Sequence, residues 1–327
     1  MSAEPSLAAP VGVGPYRLGL RRLRRDRTAL AFGALFAVIV ALCLAAPLYA
    51  HDVAHSGPDT THVTDTVRVG GKVENVVGLN GLPLGPTWHG RFALGADQTG
   101  EDVAVRLLYG GRNSLEIGFI ATLITMVLAM IAGLVAGYFG GIADGVLSRA
   151  LDLIWAYPVV LLGIALGTSL ALGGLNLGLF TISSGSLLVP ALIIGFVYIP
   201  YVARPLRGQV ISLRQREFIE AARMLGAGRA RIIFVELLPN VASTIIVFAP
   251  LILANAILLE AGLSYLGAGV QDPNPSWGTM ISDGINLLPT SVHLALAPGL
   301  MLVLAVLGIN VFGDGVRDAL DPRAGEN

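Results

Sequence analysis

The chain has 327 residues, 54% of them hydrophobic and only 13% charged, with a mean hydropathy of +0.73 and a formal net charge of −1. A soluble domain carries about 25% charged residues, so this chain has too little polar surface to cover itself in water. Composition therefore excludes a soluble globular protein and points to the bilayer as solvent, and the small net charge conceals a strong sidedness in where the arginines lie.

Taken in chain order, Arg17, Arg21, Arg22, Arg24, Arg25 and Arg27 crowd the segment ahead of the first charge-free run, Thr28–Ala50. That run exceeds the usual 7–15-residue core of a signal peptide and ends in a poor cleavage site, so it reads as a retained span. It holds the chain's single cysteine, Cys43, which rules out an intrachain disulfide. In the segment that follows, Val67–Glu74 (VRVGGKVE) alternates apolar and polar residues around Gly-Gly, the pattern of a two-residue β-hairpin turn, and Gly78–Pro86 is a second turn-rich stretch. A two-stranded ribbon is marginal alone in water, so it is expected to lie on the membrane domain or on a partner. His51, His55 and His62 are in the same segment, but no further ligand pattern completes a metal site.

Four further runs lack Asp, Glu, Lys and Arg: Ile117–Ala143, Leu153–Ala203, Leu237–Leu259 and Gly284–Gly313. A spanning helix needs about 20 apolar residues, so each run fits one span except Leu153–Ala203, which as one helix would extend about 75 Å and must fold back. The Gly-, Asn- and Ser-rich stretch Gly173–Ser186 is the place to turn. Six spans result, near 29–50, 113–138, 149–171, 187–207, 241–263 and 293–313. Arg204, Arg207, Arg214, Arg216, Arg223, Arg229 and Arg231 crowd the connection between spans four and five, whereas residues 267–292 hold no Lys or Arg. The positive-inside rule places that connection and the N-terminus on the cytoplasmic side, and an even number of crossings brings the C-terminus there too. The expected organisation is a basic cytoplasmic tail over 1–28, a first transmembrane helix over 29–50, an extracytoplasmic loop over 51–111, a five-helix core over 112–316 with a cytoplasmic loop at 212–240, and a cytoplasmic tail over 317–327. Glu116, Asp152 and Glu260 lie at span ends or at bundle depth, where an unpaired charge costs at least a few kcal/mol. They read as helix-end or interhelical pairs in preference to a polar path lining. Pro158, Pro190, Pro200 and Pro298 sit within spans, where proline either bends helices or aids packing.

The segment Glu217–Asn240, EFIEAARMLGAGRARIIFVELLPN, interrupts this apolar chain with charge. Phe218, Ala222 and Leu225 recur at i, i+4 and i+7 with Ala221 beside them, which predicts a short helix with one apolar face. Gly226 and Gly228 then turn or break it, and Pro239 suits the first turn of the next span. Physical chemistry alone supports two readings equally: a helix presented to a protein partner, or an amphipathic helix lying among anionic lipid headgroups.

Glu220-Ala221-Ala222, three residues, Gly226, nine residues, and Glu236-Leu237-Leu238-Pro239 resemble the EAA motif of ATP-binding cassette importer permeases, with Glu236 standing where the general pattern has Ile. Leu94–Leu115 (LGADQTGEDVAVRLLYGGRNSL) is similar to a segment of the dipeptide, oligopeptide and nickel importer permeases, with Glu101 in place of the usual Arg and Ala104-Val105 also departing. Leu263–Met280 and Gly313–Arg323 match the same family, so that the resemblance extends over nearly the whole chain outside 51–90. It implies an all-α integral membrane protein of six transmembrane helices with the type I importer permease fold and a small β-hairpin in its outer loop. It further implies that Glu220, Ala221, Ala222, Gly226, Leu238 and Pro239 couple the chain to an ATPase.

As implied by the resemblance, the chain is the second of two permease subunits in a bacterial inner membrane. Its partners are a homologous permease, two ATPase subunits, an extracytoplasmic binding protein and membrane lipid, with no nucleic acid. ATP and Mg belong to the ATPases, and no cofactor is expected in this chain. The sequence has no G-x-x-x-x-G-K-[ST], no H-E-x-x-H and no G-x-S-x-G, so catalysis by the chain itself is not expected. Peptides are the favoured cargo; nickel or another small solute is the alternative within the family, and a passive channel or membrane scaffold the alternative outside it.

Overall fold

The structure is a computed structural model that describes residues 15–176 and 181–320. It begins with the basic helix α1 (Pro15–Leu23) and α2 (Arg27–Leu44). Asp26 caps α2, its side chain accepting the Ala29 N–H at 2.9 Å. A short helix α3 (Ala46–Tyr49) and a π turn over Ala50–Ala54 lead into the loop. There β1 (Thr66–Val69) and β2 (Lys72–Asn75) pair antiparallel with Val69 opposite Lys72. Gly70 and Gly71 both take positive φ, as the two-residue turn requires. In the ribbon, Val67 and Val69 pack on a small core of the loop itself, formed by Val76, Leu84, Phe92 and Ala96.

The long helix α4 (Val103–Phe139) is the hub, touching α2, α7 (Leu188–Val197), α8 (Ile199–Arg214), α11 (Leu238–Tyr265) and α12 (Trp277–Ile285). It begins at Val103, ahead of the boundary at 112 expected from the sequence, and runs about 55 Å at 1.5 Å per residue. Small residues let its neighbours approach closely. Gly133 and Gly137, spaced by four, lie against Leu206 and Val210 of α8, and Gly118 lies against Ile257 of α11. The Thr125 hydroxyl donates to the Gly195 carbonyl on α7 at 2.8 Å. The last helix, α13 (His293–Leu320), packs along α2 and α11. It carries on through Leu320, so the first residues of the expected tail 317–327 are helical and its remainder lies outside the described residues.

Among the described residues, four single helices are long and apolar enough to cross a membrane: Arg27–Leu44, Val103–Phe139, Arg229–Tyr265 and His293–Leu320. The expected third and fourth spans are bent pairs. The pair α5 (Gly141–Trp155) and α6 (Val159–Gly173) turns by 87°, and α7 with α8 turns by 40°. Proline sits at both breaks: Pro158 caps α6, and Pro200 opens α8. Proline offers no N–H and disfavours helix in the residue before it, which stops α5 and α7 where they stop. Pro190 lies in the first turn of α7, and Pro298 lies inside α13. The expected turn over 173–186 carries a two-residue antiparallel pair, β3 (Leu175–Asn176) with β4 (Thr181–Ile182).

The two ends of α4 are chemically distinct. The hairpin loop, α12 and the start of α13 gather at its Val103 end, whereas Arg214 donates to the Tyr138 carbonyl at its Phe139 end, at 3.0 Å.

Candidate functional site

At the Phe139 end the chain leaves α8 and forms the eight-residue helix α9 (Glu217–Met224). Glu217 and Glu220 lie in its first turn and Arg223 in its last, the arrangement favoured by the helix dipole. Gly226, at φ +79°, ends it. The Ala227 N–H donates to the Ala222 carbonyl at 3.0 Å and the Gly226 N–H to the Arg223 carbonyl at 2.9 Å, the paired bonds of a Schellman stop. Gly228 is extended and opens the short helix α10 (Arg229–Arg231), from which a π turn over Ile232–Leu237 runs without interruption into α11. Helix, turn and helix stand where the glycines and Pro239 predict them.

The buried face of α9 differs from the sequence pattern. Ile219 is 0% exposed and belongs to the main core with Ile232 and Leu237. Phe218, Met224 and Leu225 remain 40%, 90% and 88% exposed. A helix of two turns reaches the core through one side chain, so the rest of its apolar surface is left uncovered. Glu220, Ala221 and Gly226 are exposed and Ala222 is half-buried, together forming one protruding knuckle. Leu238 packs against the core, and Pro239 is exposed in the first turn of α11. Glu236 is half-buried, and its carbonyl accepts the Asn240 side chain at 2.6 Å. Beside the knuckle, Tyr138, Phe139, Arg214, Arg223 and Arg229 line a basic recess.

At the Val103 end of α4, the Asp102 carboxylate is fully buried and accepts three backbone N–H groups. Oδ1 takes Ala104 and Val105 at 2.9 and 3.2 Å, and Oδ2 takes Phe92 at 2.7 Å, so one side chain both caps α4 and holds the loop to it. Burial pushes the Asp102 carboxyl above its ordinary value against these three donors. Next to it, buried Arg106 pairs with Glu101, and lies 3.6 Å from Asp97 and 3.9 Å from Asp283 on α12. Burial raises the Asp97 carboxyl too, with Arg106 and the Thr99 hydrogen bonds opposing the shift. These residues border a cavity of about 560 Å³ that Asp272 and Leu294 also line. Sequence reasoning marked Glu101 only as a departure from a pattern; its partner, five positions later on the first turn of α4, was the available signal.

The three ionisable groups singled out by depth have three different surroundings. Asp152 makes an interhelical pair with Arg204, at 2.6 Å. Glu116 is exposed and unpaired among the described residues. Glu260 is fully buried, and its Oε1 accepts the Ser264 hydroxyl at 2.7 Å. The histidines do not converge: His51 contacts Asp52, and His62 contacts Ser56 and Asp65. Among the described residues no three His, Cys, Asp or Glu side chains are grouped to hold a metal.

Residues 116–326 match the family described as binding-protein-dependent transport system inner membrane component. The chain belongs to this family. Residues 14–65 match a second family, the N-terminal TM domain of oligopeptide transport permease C. Curated relatives of this permease include the dipeptide transport system permease protein DppC of Alkalihalophilus pseudofirmus, 35% identical over 99% of this chain and 96% of that protein. The oligopeptide transport system permease protein OppC of Salmonella typhimurium is 42% identical over 70% of this chain and 72% of its own length. The glutathione transport system permease protein GsiD of the same organism is 36% identical over 94% of this chain and 91% of that protein. In fold, the permease is similar to a chain of the MetNI methionine ABC transporter in an inward-facing conformation, with a TM-score of 0.51 and 19% identity over 66% of this chain and 96% of that one. The chain is thus a multi-pass membrane permease of the peptide ABC importer class, and the EAA spacing falls on the protruding knuckle.

Proposed function

We propose that this permease is one of two membrane-spanning halves of an ATP-driven, binding-protein-dependent importer of peptides. The observation that carries the reading is the knuckle itself: a short helix fastened by Ile219 alone, stopped sharply at Gly226, and leaving Phe218, Met224 and Leu225 uncovered. In this reading an ATPase subunit covers that surface, with Glu220, Ala221, Ala222 and Gly226 at the contact. The small alanines permit close approach, and the arginines around the knuckle put this end of the bundle, with both termini, on the cytoplasmic side. A second permease completes the path, two ATPases bind below, and a binding protein delivers cargo to the end that carries the hairpin loop.

Closure of the ATPase pair displaces α9. The displacement enters the membrane through α8, which leads into α9, and through the start of α11, where Leu238 packs against the core. Transport requires two bundle states on which ATP and the loaded binding protein act with different preference. Peptides are favoured by the names of the relatives, and nickel or another small solute is the competing cargo.

The test is uptake by the complete importer, measured with labelled dipeptides, tetrapeptides and radioactive nickel in parallel with ATP hydrolysis. Peptide accumulation that needs ATP is expected. Gly226→Ala forces a side chain into a positive-φ position, at a cost of about 1–2 kcal/mol, and together with Glu220→Arg it is expected to abolish uptake while the ATPases continue to turn over, or to prevent assembly. Solute movement without ATP, indifferent to both substitutions, would identify a passive channel or scaffold. Accumulation of nickel alone would move the cargo.

A further inference from the structure

Two outward faces of the bundle differ in a way that a single solvent cannot satisfy. On α4 the exposed residues Phe119, Leu123, Val127 and Ile131 recur every four positions and are all apolar, a face suited to lipid. On α5, α8 and the break after α5 the exposed residues include Trp155, Tyr157 and Tyr201, together with Asp152, whose side chain is 54% exposed; Arg204 beside them is half-buried, at 34%.

These side chains form one cluster. Arg204 donates from Nη2 to Asp152 Oδ1 at 2.6 Å, and its guanidinium stands 3.8 Å from the centre of the Trp155 ring. Trp155 and Tyr201 have ring centres 5.4 Å apart, and Tyr201 and Tyr198 5.5 Å. Depth follows from α8. Gly133 of α4 lies against Leu206 and the Ala203 carbonyl, so Arg204, and with it the Trp155 ring, stands level with the apolar face of α4.

The backbone gives a second, independent argument. Residues Trp155–Pro158 at the 87° break are all exposed. Pro158 brings no N–H, so the Ile154 carbonyl has no donor four residues on. Non-helical backbone at membrane depth is tolerated only against protein or water, and a charged side chain facing lipid there costs about 2.5–3.5 kcal/mol on insertion scales.

We infer that this face, from Asp152 through Tyr157 on one side and Tyr201 to Arg204 on the other, lines the water-filled transport path, and that Arg204 and Asp152 contact the two ends of a zwitterionic solute. The inference rests on the importer reading and assigns it residues. The pair carries no net charge, as suits a solute with one carboxylate and one ammonium. Only one nitrogen of Arg204 is hydrogen-bonded among the described residues, so its other N–H groups remain for a carboxylate, and Asp152 Oδ2 remains for an ammonium. The Trp155 ring holds the guanidinium from one side, and with the Tyr201 ring beside it offers sequence-tolerant contact to side chains.

The experiment uses the complete importer in proteoliposomes with its binding protein and ATP. Cys43 is fully buried, so the parent chain supplies a quiet background for single cysteines. Tyr157→Cys and Tyr201→Cys are expected to react with a trimethylammonium methanethiosulfonate at least about tenfold faster than Leu123→Cys and Ile131→Cys, because the thiolate forms in water and not in lipid. Alanine peptides of two to four residues, present during labelling, are expected to slow the reaction. Arg204→Gln is expected to raise KM for peptide uptake by about tenfold or more, the loss of a charge-assisted hydrogen bond. Labelling at the rate of the α4 controls would overturn the inference and place the face against lipid or the second permease, as would labelling that peptides leave unchanged or an unaltered KM. Labelling is read without transport, so an importer that accumulates no peptide at all would remove the cargo reading and its solute contacts while leaving the water-exposure result to stand.

Discussion

Arg106 shows how one residue can carry a local electrostatic balance. Its guanidinium is buried beside Glu101 and Asp97, with the exposed Asp283 farther off, so removing it would leave buried Glu101 and half-buried Asp97 without their cation. Breaking a buried pair from one side costs about 3–5 kcal/mol, because the remaining charge stays buried and unpaired. Arg106→Ala is therefore expected to lower the unfolding temperature of the purified importer sharply, whereas Glu101→Gln leaves Arg106 beside Asp97 and Asp283 and should cost less. An equal effect of the two substitutions, read by thermal unfolding in detergent, would contradict this account. Glycines act at the same scale by admitting neighbours. A Cβ on Gly278 would be driven into the Ala261 carbonyl oxygen, beside the fully buried Trp277 whose Nε1 donates to the Leu107 carbonyl at 3.1 Å. Gly278→Ala is expected to destabilise by about 1–3 kcal/mol through overpacking, and an unchanged unfolding temperature would show that α11 and α12 can separate freely.

Among elements, the legible ones announce themselves by a local rule. Charge-free runs measured against bilayer thickness locate the spans, and two glycines between alternating residues give the hairpin, because each signal is complete within a few residues. The starts and bends of helices are less legible. α4 begins at Val103 because Asp102 caps it, but with Arg106 and Arg112 following, hydropathy alone reads this first turn as loop. The run from Leu153 to Ala203 contains no charge, so composition places two spans there without revealing that the first is bent by 87° at Pro158. In α9 the period of Phe218, Ala222 and Leu225 correctly marks an apolar face. Which face is covered depends on the π turn and α11, whose Ile232 and Leu237 meet Ile219 instead. For the same reason the site was only partly legible: the EAA spacing locates the knuckle, whereas the Asp152–Arg204 pair joins residues 52 positions apart and needs the fold to bring them together.

At the scale of the whole molecule, the bundle joins two unlike ends through α4. One end presents the hairpin loop and the carboxylate-rich cavity around Arg106, and the other presents arginines and the exposed knuckle. The central claim is that work done by an ATPase enters the bundle at that knuckle. It is tested most directly by crosslinking from Met224→Cys, an apolar position of α9 that is 90% exposed, in cells carrying the complete importer. The account predicts a crosslink to the ATPase subunit, with no modification by a membrane-impermeant thiol reagent added outside. Modification from outside, or capture of nothing but lipid while solute still accumulates, would contradict it.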